Sequence, residues 1–398
     1  MYLRIEHKSF IIFTYVLSAL MIIGQILGVS GITSLAYALS FLTVFVLWCL
    51  HIKEVNALDL LAVSIIALSL LGVIATYTTL SVSYFFNWIT FAFVFLYFSV
   101  CLKIRLDRRA LINLFRVNFF VALLSCIIYI VKFDWVFYVT NTGVRYLRYD
   151  FYNPNTAAIF LFCIAVTGLL KFFFSEHTSI FKQIAYIALS FALIVQTLSR
   201  TVCIAIVFFV IIYVIFKRKG RYFLPKGNVF CIVVSLFPFI FAIVYSIFIQ
   251  NPAIHKIFSF LVSEGKEMDS RQYVWEYAFR LVKESPLFGS YGYLLTHPDF
   301  SQMHNSHLNV LVSYGVIVFV LVVIYLFLVM KKITAESKNN RTELCVWAFI
   351  VCLILGAGEA ILFSGGLSFY LFVGQFLLLA NVPGENIKAL DRKHIIEE

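Results

Sequence analysis

Between Gln183 and Phe216 only one residue is charged, Arg200, at the centre of IVQTLSRTVCIA. A guanidinium near hydrocarbon is costly, and the usual compensation is an anion or a water-filled cavity; phosphate matches its planar fork. A structural turn arginine is the alternative. Further on, MHNSHLNVLVSYG carries His304 and His307, one helical turn apart if a helix begins that early. Such a pair can hold a metal, but no third ligand and no HExxH pattern accompanies it, so two interfacial histidines capping a helix are the plainer reading. Arg145 and Arg148 in GVRYLRYD, Arg271 in DSRQYVWEYAFRLVKESP and Glu359 in GAGEAILF are further charges at the borders of apolar stretches.

The elements that must position these residues follow from composition. The chain has 398 residues, of which 62% are hydrophobic and 13% charged, more apolar surface than one soluble core could hide. A membrane helix needs about 20 apolar residues, and about twelve such runs occur, near 10 to 28, 31 to 50, 57 to 77, 84 to 102, 110 to 132, 155 to 174, 183 to 199, 201 to 216, 228 to 249, 307 to 330, 344 to 363 and 365 to 381. The first follows Arg4 and Lys8 but is long and lacks a small-residue cleavage site, so it reads as a retained helix. One helix from Gln183 to Phe216 would be about 51 Å long against a core of about 30 Å. The run must therefore break, and QTLSRT is where polarity gathers.

The net charge of +11 is a topology signal rather than a nucleic-acid footprint. With the N-terminus inside and twelve spans, most Lys and Arg residues fall on the cytoplasmic side, as the positive-inside rule requires, and both termini are cytoplasmic. The eight cysteines lie in or beside apolar runs and form no metal or disulfide pattern. The whole chain, 1–398, reads as one all-α polytopic membrane domain without internal repeats. Two outside loops interrupt it, a smaller one at 133–154 and a large one at 250–306. The large loop opens with a helix that Asp269 caps and Pro286 and Gly289 close. On it Arg271, Trp275, Ala278 and Val282 share a face, while Arg280 points the other way, a solvated residue between Glu276 and Glu284.

The series LSRT, SRQYVWEYA, ESPLFGSYG and HNSHLNVLVSYGVIVF, with FYNPNTAA before it, resembles the O-antigen ligase and O-antigen polymerase family over roughly residues 150 to 330. The resemblance implies a GT-C type fold, a bacterial plasma-membrane location and work on polyprenyl-diphosphate-linked saccharides at the outer face. It places the arginine of the family's SR motif on Arg200, that of its R-x-x-x-W motif on Arg271, and the histidine of its H-N-x-x-L motif on His304. His307 falls on a variable position of that motif.

The implied reaction has a sugar hydroxyl attack an anomeric carbon while a lipid diphosphate leaves. Arg200 and Arg271 would stabilise the departing charge, with Arg145 and Arg148 as helpers; His304 would accept the hydroxyl proton; Asn305 would orient His304 or a sugar hydroxyl. Glu359 is a further substrate-site residue whose partner the sequence does not name. The outer loops hold no DxD pair, so the expected reaction uses no metal or other cofactor and inverts the anomeric centre. Polymerisation of repeat units is the favoured reading, transfer of a finished glycan to another acceptor its sibling, and a flippase for lipid-linked oligosaccharide the reading from another class. Beyond the bilayer and the lipid-linked saccharides, the expected partners are a chain-length regulator and a flippase of the same pathway.

Overall fold

The computed structural model describes residues 30–50, 55–76, 82–106, 108–131, 137–139, 143, 145–147, 154–175, 178–219, 224–248, 269–291, 303–337, 339–360, 362–363 and 367–382, with Val16 and Gly24. Inside a bilayer a helix satisfies all its own backbone groups, and each apolar run expected from residue 31 onward contains a helix, the one expected at 344 to 363 ending at Leu355. These are α1 (Ser30–Leu50), α2 (Ala57–Thr76), α3 (Val82–Cys101), α4 (Arg108–Val131), α5 (Pro154–Phe174), α6 (Ile180–Val195), α7 (Arg200–Lys219), α8 (Asn228–Phe248), α10 (Ser306–Glu336), α11 (Asn340–Leu355) and α12 (Leu367–Ala380). The amphipathic helix α9 (Asp269–Glu284) stands between α8 and α10. Among the described residues, six helices are long and apolar enough to cross a membrane, namely α2, α4, α5, α7, α8 and α10. The expected first run, near 10 to 28, lies outside the described residues apart from Val16 and Gly24, both helical.

Helices α5 and α11 form the centre and are buried along most of their length. α11 packs on α7, α8 and α12, and α5 on α4, α6 and α7. By contrast α6 and α8 present Phe181, Ile184, Val229 and Ile247 outward, the apolar surface that a lipid environment covers.

Two features depart from the expectation. The smaller loop contains a hairpin, β1 (Phe137–Val139) and β2 (Arg145–Leu147), paired antiparallel with Val139 opposite Arg145. The helix expected at 307 to 330 runs to Glu336 and is kinked at Gly315, whose φ of 79° and ψ of 178° are not helical. The cause is another segment. The chain after α9 crosses α10 at this point, so that a Cβ on Gly315 would strike the carbonyl of Leu287, and one on Gly289 (φ 74°) would come within 2.6 Å of Gly315 N. The hydrogen-bonding groups freed at the kink are taken up by the crossing chain, Val316 N donating to Pro286 O at 2.8 Å and Ser290 N to Val312 O at 2.6 Å. Glycine at both positions lets two backbones meet where a side chain would hold them apart.

Candidate functional site

The site is built around His304, Asn305 and Ser306. Asn305 is the N-cap of α10: its Oδ1 accepts from His307 N and Leu308 N, both at 3.0 Å, satisfying two donors that a helix start leaves open. Its Nδ2 donates to Pro238 O at 2.7 Å and Ala357 O at 3.0 Å. Ser306 is tied to the turn after α11. Its N donates to Gly356 O at 2.8 Å, and its Oγ donates to Glu359 O at 3.0 Å while accepting from Leu362 N at 2.9 Å. The helix start and the turn Gly356–Glu359 thus form one unit.

His304 precedes this cap with φ of 46°, a left-handed conformation that a non-glycine residue adopts only where its surroundings enforce it. Its ring Nδ1 lies 3.6 Å from Glu359 Oε2; the His304 side chain is 30% exposed and that of Glu359 only 3%. This separation is too long for a hydrogen bond but within ion-pair range for a protonated imidazole. The other carboxylate oxygen, Oε1, accepts from Asn155 Nδ2 at 2.9 Å. Asn155 is the second residue of α5, which Pro154 opens, a position where the missing proline N–H costs nothing.

His307 faces elsewhere. The helix begins at Ser306, so the two histidines do not share a helical face, and neither caps α10; that expectation is corrected, because Asn305 supplies the cap. The His307 ring is buried, with Nε2 2.7 Å from Ser235 O; since a carbonyl only accepts, Nε2 carries the proton. Pro238 interrupts α8 and loosens the helix hydrogen bonding around it, and the carbonyls of Ser235 and Pro238 are the ones that His307 and Asn305 engage. Both side chains are therefore held by protein groups rather than turned toward solvent.

Helix α9 is anchored by Trp275. The indole is fully buried, stands edge-on to Tyr245 at 5.1 Å and donates from Nε1 to Met303 O at 2.7 Å. The residue next to His304 is thus pinned by the tryptophan that follows Arg271 by one turn. Ala278 is buried on the same face and Val282 half-buried, whereas Arg280 is exposed, as the helical period requires. The Arg271 side chain lies outside the described residues.

Arg200 is the first residue of α7 and is exposed. The turn before it bends through Leu198 (φ 59°), so the break expected at QTLSRT is present. Strand β2 docks on this turn, Leu147 N donating to Gln196 O at 2.8 Å, and Tyr129 OH donates to Gln196 Oε1 at 2.7 Å. Arg145, exposed on that strand, is thereby carried to the same turn as Arg200; Arg148 lies outside the described residues. With Asn155 opening α5 against Glu359, and α5, α7 and α11 packed together, the starts of α5, α7 and α10 and the end of α11 gather at one end of the bundle.

Sequence reasoning quoted FYNPNTAA without assigning Asn155 a role, and gave Glu359 no partner. The signals were present: an asparagine just inside a helix start, and an acid between two apolar runs.

A helical, multi-pass membrane protein with one small hairpin and a polar cluster set into one end of its bundle is the class these features define. Residues 185–323 match the family model described as O-antigen ligase, in agreement with the resemblance carried by LSRT, SRQYVWEYA and HNSHL. The matched segment contains Arg200, Arg271, His304, Asn305 and His307; Arg145, Asn155 and Glu359 lie beyond it. No curated protein matches the chain.

Proposed function

We propose that this chain is a glycosyltransferase that polymerises polyprenyl-diphosphate-linked oligosaccharide repeat units into O-antigen, capsule or exopolysaccharide. It works at the outer face of the bacterial plasma membrane, with about twelve spans, cytoplasmic termini and the large loop at 250–306 outside. The observation that carries the reading is His304, half-exposed beside a buried carboxylate, at the same end of the bundle as Arg200. A partly exposed imidazole is accessible to an acceptor hydroxyl and can accept its proton.

In the proposed reaction His304 takes the proton of the acceptor hydroxyl as the new C–O bond forms at the anomeric carbon. The bond to the diphosphate breaks with its electron pair on the leaving oxygen. Arg200, with Arg271, Arg145 and Arg148, faces the accumulating negative charge, and fixed cations are most effective where water is scarce. Attack opposite the leaving group inverts the centre. No metal is required, because the arginines supply the charge.

The decisive measurement is polymer formation by His304→Ala and Arg200→Ala in membranes where both variants insert normally. Loss in both is expected, and wild-type polymer from both overturns the reading. Turnover abolished by EDTA and rescued by Mg²⁺ overturns the metal-independent step. The description of the matched family favours a second reading, transfer of a finished glycan to another acceptor. Lipid-linked repeats supplied alone separate the two: a polymerase elongates them and a ligase does not. Translocation without bond formation identifies a flippase.

A further inference from the structure

Glu359 stands beside the His304 imidazole, and its two oxygens have different neighbours. Oε1 is held by the Asn155 amide at 2.9 Å, and Oε2 stands 3.6 Å from His304 Nδ1. The Glu359 backbone is fixed as well, its carbonyl receiving the Ser306 hydroxyl at 3.0 Å and its N–H reaching Leu355 O at 3.1 Å. Three segments distant in sequence, the start of α5, the entry to α10 and the turn after α11, thus converge on one carboxyl group. A structural acid at a helix end does not need that convergence, and an amide donor on one oxygen fixes the direction of the other.

We propose that Glu359 and Asn155 are positioning residues for His304. This rests on His304 being the base of the proposed reaction. Asn155 aims the carboxylate, and the carboxylate, an acceptor only, holds the imidazole in the tautomer with hydrogen on Nδ1. Nε2 then presents its lone pair away from the carboxylate, toward the accessible side. When Nε2 takes the proton of the acceptor hydroxyl, the imidazolium gains an anion at its back. The 3.6 Å separation contracts to hydrogen-bond length as the charge appears, in the way catalytic contacts tighten on reaching the transition state. The proton leaves His304 to water after the saccharide is transferred.

The test uses the full chain purified into proteoliposomes with lipid-linked repeat units extracted from the producing membrane, followed across pH. Glu359→Gln is expected to lower kcat by about ten- to a hundredfold, the range for outer-shell partners of a functional histidine, with KM for the lipid-linked donor little changed. Losing the anion destabilises the imidazolium, so the group is deprotonated at lower pH and the acid limb of the rate profile moves down by about one unit. Glu359→Asp restores the charge and returns the limb toward its original position. Asn155→Ala leaves the charge in place, and so lowers kcat without moving the limb. Wild-type kcat and an unmoved acid limb in Glu359→Gln overturn the positioning role, as does a fall in rate that tracks only lost folded protein in all three variants. If instead His304→Ala retains full turnover, the base assignment itself fails, an outcome distinct from either of these.

Discussion

Of the buried carboxylates among the described residues, Glu359 and Asp59 lie at opposite ends of the bundle and are treated differently. Glu359 faces a histidine that is partly exposed and carries charge only when protonated. Asp59, in the first turn of α2, faces Lys103 at 2.8 Å, with both side chains almost wholly buried. Asp59 Oδ2 also accepts from Asn56 N at 2.9 Å, and the neighbouring chain end is closed by Lys332 Nζ donating to Leu102 O at 2.9 Å and by Asn381 Nδ2 bridging the carbonyls of Leu102 and Ile104 at 3.2 Å each. Lys332 lies some 26 residues along α10 from Ser306, roughly 40 Å of helix. At the Asp59 end a permanent cation and a permanent anion cancel inside a sealed junction. At the Glu359 end the anion is matched with a group that gains and loses its charge. The lesson is that burial of a charge does not by itself mark a working site: what distinguishes Glu359 is the reversibility and access of its partner.

His304→Ala should break the contrast most sharply. A positioned base contributes about 10²- to 10⁴-fold, so transfer should fall by about that factor while thermal unfolding in detergent stays near wild type. At the other end the signs reverse. Lys103→Met strands Asp59 as an uncompensated buried charge, expected to cost about 3–5 kcal/mol of stability, with turnover per folded molecule unchanged; denaturant unfolding with a matched activity assay reads both. Pairing it with Asp59→Asn should recover most of that loss, since a neutral pair of similar volume is often nearly as stable as the ion pair. The smallest effect is expected at the buried amide pair between α4 and α12, Asn118 Nδ2 donating to Gln375 Oε1 at 2.9 Å. Replacing both with leucine removes donor and acceptor together and should shift stability by no more than about 1 kcal/mol. A large loss of activity there would mean that polar contacts remote from both ends also serve the reaction, and the contrast would no longer hold.

The parts of this structure that local periodicity controls were legible in the sequence. Apolar run lengths gave the helices, the excess length around Arg200 gave the turn before α7, and the spacing of Trp275, Ala278 and Arg280 gave the faces of α9. Contacts between distant segments were not legible. Asn155 and Glu359 are separated by 204 positions, and nothing near either names the other. His307 read as a possible companion of His304 because their spacing suits a helix; the helix starts two residues after His304, and only the Ser235 carbonyl of α8 reveals what His307 bonds. The kink at Gly315 was hidden for the same reason, because its cause is a chain passing from another part of the sequence.

That crossing has a mechanical meaning. Gly289 and Gly315 work as a half-lap joint in carpentry, each strand notched where the other passes, so that neither can slide without carrying its mate. Helix α9 and the buried first turns of α10, which begin beside His304, are therefore one rigid member. A side chain added at either notch displaces the same opposing backbone, so alanine at both positions should do little more damage than alanine at the worse of the two.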